Sequence, residues 1–349
     1  MDSLLRIGLV GCGGMGAEHI RIIRTLPDVE LVGICDERPE RVQRMNGQYG
    51  TPFWLDYTRF LEQARPDIVH ICSPSGLHAL HGICAARRGV HVLCEKPLDI
   101  SLANADRFVT ECERAGVLLG CIFQRRMSAG GRAVRAAITA GKLGRIISCS
   151  GSVKWWRSQA YYDKDAWRGT LALDGGALAN QGIHTLDQML WLAGPVEEVE
   201  FARLSTEAHK MECEDVALVV MRYASGARGM LEVTTCCRPD LSTRIELYGE
   251  YGSAALRDAQ VTAFGVAGED LLASLTDPGE RTGGGSEPFD ISLAGHRSQI
   301  VDFYDAVRNR RPPAVDGHEG RKAVELLTRI YQKGLPGAVL GTPLELPSA

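Results

Sequence analysis

Two short runs in this sequence hold residue types that can carry out redox chemistry together. The first is Gly11-Cys12-Gly13-Gly14-Met15-Gly16, whose G-x-G-x-x-G spacing suits a pyrophosphate laid against backbone N–H groups. The second is Glu95-Lys96-Pro97, which follows the apolar run Val90-His91-Val92-Leu93-Cys94, read as a short buried strand. Open α/β sheets collect ligands at the carboxyl ends of their strands. Lys96 is therefore expected at the nicotinamide end of a bound dinucleotide, where a cation favours hydride transfer by stabilising a developing alkoxide.

Context strengthens the glycine motif. It follows a strand over Leu5–Val10 and opens a helix over Gly14–Leu26, and Asp36 lies 20 residues past Gly16. Gly11 permits the tight turn, Gly13 the approach of backbone to phosphate, and Gly16 close helix–strand packing. Cys12, Gly14 and Met15 complete the cofactor loop. Asp36 is expected on the adenosine ribose, favouring NAD over NADP, with Arg38 close enough to leave NADP open. Ser73 and Pro74 are expected to border the nicotinamide ribose, with His78 beside them in a supporting rather than catalytic role. His81 and His91 read as surface or packing residues. Gln124 and Arg125 follow the last strand of this half and can reach nicotinamide or substrate.

Further along, Trp155-Trp156-Arg157, Tyr161-Tyr162 and Trp167-Arg168 form an aromatic–arginine segment. Sugar C–H faces pack on aromatic rings, and arginine grips carboxylate or phosphate in a fork. Trp156, Tyr162, Trp167 and Arg168 are the candidate substrate contacts, Arg168 first among them as an anion contact.

These residues need a scaffold. Strands over Leu5–Val10, Leu31–Cys35, Ile68–Cys72, Val90–Cys94 and Val117–Phe123 alternate with helices over 39–49, Leu77–Arg88 and Ser101–Ala115. That alternation implies a doubly wound parallel sheet covered on both faces. After Phe123 the alternation stops. A helix over Gly131–Ala140 and a strand over Ile146–Trp155 lead to a helix over His184–Ala193. Strand candidates follow over Val196–Ser205, Asp215–Tyr223, Ala227–Thr235, Thr243–Tyr248, Gly252–Leu256 and Gln260–Phe264, implying an antiparallel or mixed sheet. The expected class is α/β: a dinucleotide-binding Rossmann domain over 1–124, and a substrate and oligomerisation domain with a large open, mainly antiparallel sheet over 125–349. The glycine-rich stretch 277–288 reads as a mobile loop.

Composition excludes several classes. A formal charge of −4, with arginines only in isolated pairs, argues against nucleic acid. The apolar run at the N-terminus leads straight into the glycine motif rather than forming a leader, and no run is long enough for a membrane span. Eleven scattered cysteines without C-x-x-C spacing suggest free thiols in the cytoplasm. Their spacing with histidines fits no zinc pattern, so no metal is expected.

The glycine motif, Asp36, Ser73-Pro74-Ser75-Gly76-Leu77-His78 and Glu95-Lys96-Pro97, in this order, resemble the glucose–fructose oxidoreductase / inositol dehydrogenase / MocA (Gfo/Idh/MocA) family. Asp174-Gly175-Gly176-Ala177-Leu178-Ala179-Asn180-Gln181-Gly182-Ile183-His184-Thr185-Leu186-Asp187 resembles its glycine-rich segment leading to a helical histidine. The run from Ser298 to Ala323 resembles its closing helix-loop-helix, whose helices can pack back on the first domain. The resemblance covers nearly the whole chain. It implies an NAD(P)-dependent oxidoreductase in which Lys96 and His184 face the substrate, with Lys96 and His184 as cation and general base, roles that can be exchanged because a desolvated lysine can itself act as base. It also implies a cis peptide before Pro97, and oligomers, a homodimer or homotetramer, through the open sheet. Asp187, three residues after His184, is placed to fix the imidazole tautomer. Asn180 stands where many members carry aspartate, and an amide cannot relay a proton. The Asn-Gln-x-x-His form resembles the branch that includes nucleotide-sugar 3-dehydrogenases. The expected substrate is thus a sugar, polyol or sugar derivative, oxidised at a secondary hydroxyl. Alternatives are a redox-assisted glycosidase using tightly held NAD, and a non-catalytic nicotinamide-binding sensor.

Overall fold

The computed structural model describes residues 4–258, 260–272 and 293–345; the stretch 277–288 lies outside them. The chain divides into two compact units: one runs to Ile122 and includes His296–Val324 and the residues from Gly341, and the other comprises Phe123–Gly295 and Glu325–Leu340.

In chain order the first unit holds β1 (Leu5–Val10), α1 (Gly14–Ile23), β2 (Val29–Cys35), α2 (Pro39–Tyr49), β3 (Phe53–Trp54), α3 (Tyr57–Ala64), β4 (Ile68–Ile71), α4 (His78–Ala86), β5 (His91–Cys94), α5 (Leu102–Ala115) and β6 (Leu119–Cys121). The six strands are parallel in the order β3-β2-β1-β4-β5-β6. Helices cover both faces of such a sheet, which is why β1 and β4 read as nearly continuous apolar runs. The strand order reverses between β1 and β4, and the crevice at their carboxyl ends is the general ligand position of this architecture. The short pair β3–α3 was not expected. β3 has only two residues, too few for a periodic pattern, yet Asp56 caps α3 by accepting from Arg59 N at 2.7 Å. α1 stops at Ile23, short of Leu26, because Thr25 and Leu26 turn back onto the carbonyls of Ile22 and Ile23. β6 is shorter than expected because Gln124–Met127 forms a 3-10 turn.

The second unit holds α6 (Ala129–Thr139), β7 (Ile146–Lys154), α7 (Gln159–Asp163), a π-helical turn over Leu178–Gly182, α8 (Ile183–Ala193), β8 (Val196–Ser205), β9 (Val216–Tyr223), β10 (Arg228–Thr234), β11 (Arg244–Gly249), β12 (Gly252–Arg257), β13 (Gln260–Val266) and β14 (Glu269–Asp270). The eight strands run in the order β14-β13-β12-β11-β7-β10-β9-β8, antiparallel except for the β7–β10 pair. Alternation with period two divides the faces. Cys149, Val153, Ala217, Val219, Met221, Leu231, Val233, Ile245 and Leu247 are buried, whereas Phe201, Leu218 and Met230 on the other face are exposed. α8 covers the buried face, with Thr185 and Met189 lying directly over Gly151 of β7.

Two long helices close the chain. α9 (Leu293–Asn309) lies mostly in the first unit, and α10 (Gly317–Gly334) begins there and ends in the second. Gln299 of α9 donates to the Cys121 carbonyl at 2.7 Å, and Asp316 bridges to Gly120 of β6.

Within the second unit, Glu214 holds the approach to α8. Its buried carboxyl accepts from Leu178 N at 2.8 Å and from the Tyr331 hydroxyl of α10. Burial, opposed by these hydrogen bonds, pushes its pKa from 4.5 up to about 7. The folded state therefore binds this proton more tightly than the unfolded chain, and stability falls as pH rises through that interval. Glu214→Gln should remove this component of the slope. Urea unfolding of both proteins should show the variant gaining on wild type by roughly 3 kcal/mol between about pH 4 and about pH 8. A pH-independent difference would place the cost elsewhere.

Candidate active site

The glycine loop is shaped by backbone requirements. Gly11 has φ +95°, and a Cβ there would lie 2.3 Å from the Cys72 carbonyl; one on Gly16 would lie 2.0 Å from the Gly11 oxygen. Positions 13 and 14 are the opposite case, since a Cβ at either would meet nothing within 4 Å. The loop is tight against β4 and α1 on its inner side and open outside Gly13-Gly14, as a pyrophosphate cradle at a helix N-terminus requires. Cys12 is fully buried and Met15 half-buried. Asp36 ends β2 with its carboxylate accepting from Cys12 N at 2.8 Å and Arg38 N at 3.0 Å, and Arg41 stands 3.9 Å away. The carboxylate is thus fixed at the end of β2, with one arginine beside it.

The loops after β4 and β5 are joined by His78, which contacts the Pro97 carbonyl at 2.7 Å through Nδ1 and the Ser73 carbonyl at 2.9 Å through Nε2. His78, expected beside the cofactor in a supporting rather than catalytic role, is buried with both ring nitrogens on these loops and braces the rim. Burial lowers its pKa, and the two carbonyls oppose that. Pro74 caps the turn Ser75–Leu77, and Ser73 Oγ meets His81 Nδ1 at 2.9 Å. The Lys96–Pro97 peptide is cis, as the resemblance implied. Lys96 is half-buried, and its backbone N–H donates to Glu95 Oε2 at 3.1 Å. Burial raises the pKa of Glu95, but the His19 hydrogen bond, with the Lys96 charge added to it, holds it below its ordinary value. An ionised carboxylate thus stands beside the lysine.

In the second unit, His184 sits in the first turn of α8, half-buried, with Phe123 edge-on at 6.2 Å. Asn180 lies in the π-helical turn and donates to Asp174 Oδ1 at 2.5 Å. Asp187 takes a buried bidentate ion pair from Arg126, at 2.9 and 2.6 Å, a partner the sequence reading did not name. Gln124 is buried, and its Oε1 has no hydrogen-bond partner among the described residues. Arg125 donates to Thr185 Oγ1 and Thr243 Oγ1 at 3.4 and 3.3 Å, and burial lowers its pKa to about 10.

The aromatic–arginine segment divides. Arg168 lies over the rings of Tyr161 at 4.3 Å and Trp167 at 4.6 Å, and Arg157 over Tyr161 at 5.4 Å. Trp156 is half-buried under Arg238 at 5.3 Å. Tyr162, expected at the substrate, places its hydroxyl 2.8 Å from Thr235 Oγ1 and its ring against His209, and also lines a cleft with Arg168. α7 turns the neighbouring residue, Tyr161, toward the arginines, and hydropathy alone does not tell two adjacent tyrosines apart. A cleft of about 280 Å³ borders Arg168, Thr170, Lys210 and Met211. His209, Asp215 and Cys236 bring potential metal-ligand atoms within 4.8 Å of one another, but Asp215 already accepts three backbone N–H groups and the His209 ring.

Comparison with known proteins agrees with this geometry. Residues 5–123 match the profile of an oxidoreductase family with an NAD-binding Rossmann fold, and residues 132–255 that of the GFO/IDH/MocA C-terminal domain. The chain belongs to the Gfo/Idh/MocA family. It is therefore an oxidoreductase with an NAD-binding domain, and the doubly wound sheet and the large open sheet are the expected halves of this family. Among Gfo/Idh/MocA relatives, a myo-inositol 2-dehydrogenase of Thermotoga maritima is 29% identical over 92% of this chain and 94% of that protein. The WlbA dehydrogenase of Bordetella pertussis, solved with NADH and UDP-GlcNAcA, is 33% identical with a TM-score of 0.85, over 98% of this chain and 100% of that one. A D-glucoside 3-dehydrogenase of Escherichia coli is 30% identical over 55% of each chain.

Removing the Asp36 carboxylate leaves Arg38 and Arg41 to receive a 2′-phosphate. Asp36→Ala should narrow the preference for NAD over NADP by roughly tenfold or more, the worth of a charged hydrogen bond. Fluorescence titration of both reduced cofactors measures the ratio, and an unchanged ratio would mean that another residue reads the ribose.

Proposed function

We propose that this chain transfers a hydride between NAD and a secondary hydroxyl of a carbohydrate derivative, most consistently a nucleotide-linked or otherwise anionic sugar. The observation that carries the reading is Lys96, half-buried at the carboxyl end of β5 beside an ionised Glu95, in a unit built to hold NAD. Bound NAD supplies the hydride acceptor. Lys96 places positive charge against the carbinol oxygen, so that the oxygen can carry negative charge as its C–H bond breaks. His184 takes the hydroxyl proton at a ring nitrogen, leaving a ketone. Asn180 orients the substrate hydroxyls by donating and accepting hydrogen bonds, and Asp187, locked by Arg126, fixes the helix that carries His184.

The substrate class rests on the arginines. Arg157 and Arg168 stack on Tyr161, and Asp165 approaches Arg168 at 3.7 Å. Guanidiniums held on aromatic faces suit a carboxylate or phosphate of the substrate, with Trp156 and Trp167 packing on its apolar faces. Likeness to the WlbA dehydrogenases, solved with a UDP-sugar, supports the same class. In this reading residues 1–124 serve the cofactor and 125–349 the substrate. The exposed Phe201, Leu218 and Met230 support a homodimer or homotetramer formed through the open face of the sheet. Free thiols, and the lack among the described residues of a helix long and apolar enough to cross a membrane, support a cytoplasmic protein.

NAD-loaded protein should be screened against UDP-sugar uronates, free uronates, polyols and neutral glycosides, following nicotinamide fluorescence and product mass. Reduction of the nicotinamide with a product lighter by two hydrogens, on the anionic sugars first, is the expected result. Glycoside cleavage without lasting reduction would replace this reading with the redox-assisted glycosidase. Lys96→Met should bind NAD as wild type does while losing at least roughly a hundredfold in kcat. Turnover within a few-fold of wild type would remove Lys96 from the chemistry.

A further inference from the structure

Behind Glu95 three side chains form an unbroken buried line. The Tyr304 hydroxyl of α9 lies 2.9 Å from His70 Nε2, His70 Nδ1 lies 2.8 Å from His19 Nδ1, and His19 Nε2 lies 3.1 Å from Glu95 Oε1. Both histidines are fully buried, and Tyr304 and Glu95 are nearly so. Each arises at a place where a polar residue is costly: His19 on the inward side of α1, His70 inside the wholly buried strand β4.

The donor direction along this line is not arbitrary. A neutral imidazole has one N–H and one lone pair. Two facing ring nitrogens make a hydrogen bond only if one gives and the other receives. With both rings neutral, a choice at one end therefore propagates to the other, and the line has two settings, every hydrogen toward Glu95 or every hydrogen away from it; a doubly protonated His19 would instead donate to both neighbours and turn His70 to its Nε2–H form. The second setting requires a protonated Glu95. The other oxygen of Glu95 accepts the Lys96 N–H, which favours the carboxylate. Burial also pushes His70 well below its ordinary value, in keeping with a neutral ring. The hydrogens therefore point toward Glu95: Tyr304 donates, His70 carries its proton on Nδ1, and His19 carries its proton on Nε2. Passing a proton back along the line would leave a tyrosinate at position 304, where burial pushes the phenol pKa well up. That cost argues for orientation rather than transport.

We infer that Tyr304, His70 and His19 form a one-way hydrogen-bonded line that holds the Glu95 carboxylate ionised and aimed beside Lys96, making all three positioning residues for the lysine. Their role in turnover rests on the assignment of Lys96 above; the direction of the line does not. His296 faces the same carboxylate at 3.7 Å and, with burial lowering its pKa to about 4, adds no charge at neutral pH.

The test is imidazole nitrogen spectroscopy on the full chain with ¹⁵N-labelled histidine, each ring assigned by substitution. At neutral pH His19 should be the Nε2–H tautomer and His70 the Nδ1–H tautomer. Either ring doubly protonated, or the opposite pair of tautomers, overturns the proposal, and this reading needs no substituted protein to fold differently from wild type. Tyr304→Phe removes the terminal donor and leaves the His70 Nε2 lone pair without its partner, while the Glu95 carboxylate still fixes the direction. Its spectra should keep both tautomers but shift the His70 Nε2 resonance, and its kcat should fall roughly tenfold with NAD affinity within twofold of wild type. An unshifted His70 Nε2 resonance would overturn the role of Tyr304. If Lys96→Met keeps full turnover while the tautomers are as stated, the assignment of Lys96 fails and the line stands.

Discussion

A charge taken out of water must be solvated by the protein around it, and Glu95 is where the first unit meets that demand. Its carboxylate draws on α1, the backbone after β5, and α9, three stretches far apart in sequence. Leaving a buried charge uncompensated costs about 3–5 kcal/mol, a large share of a domain's stability, so these elements are held to one arrangement. The second unit repeats the device. Arg126 pairs with Asp187 on the helix that carries His184, and Asp215 gathers three backbone N–H groups and His209 beside the aromatic–arginine segment. Each candidate reacting group thus stands close in sequence to a carboxylate that cannot move.

The parts of the fold legible from sequence are those with a local signature. β1, the glycine loop and Asp36 were readable because the loop geometry demands glycine and an acid at the end of the next strand is a local signal. The strands of the open sheet were readable because one face is buried and the other wet. What was not legible depends on partners distant in the chain. His70 inside Ile68–Ile71 announced that a buried ring needed company, but nothing near it named Tyr304. Asp187 looked like a partner for a histidine on its own helix, while the structure gives it Arg126, 61 positions away. Tyr161 and Tyr162 have the same composition, and only the turn of α7 decides which one meets the arginines.

Relatives of comparable identity carry names that refer to different compounds, an inositol for one and a glucoside for another, and WlbA was solved with a UDP-sugar. In the proposed reading the cofactor half makes few demands on the substrate, holding a dinucleotide and presenting one cation. Discrimination would then fall to the surface of the second unit, where Arg157, Arg168 and their aromatic supports lie outside the regular strands and can vary without disturbing the sheet. Asn180 belongs to the same economy of change: it keeps a hydrogen bond to Asp174 while giving up a titratable group.

The return of residues 296–324 to the first unit has a consequence for synthesis. The six parallel strands have all been made by Cys121, yet the helix that supplies Tyr304 and Gln299 to that unit is encoded after the entire open sheet. At ribosomal speeds of roughly 5–20 residues per second, on the order of ten seconds pass before that helix emerges. Through this interval the nascent Rossmann sheet carries an uncovered flank, with the His70 ring and the Cys121 carbonyl deprived of their final partners. The first unit must therefore complete its packing late, after the second unit has had time to fold, and a ribosome stalled within that unit would hold a Rossmann sheet whose partners for His70 and Cys121 are not yet made.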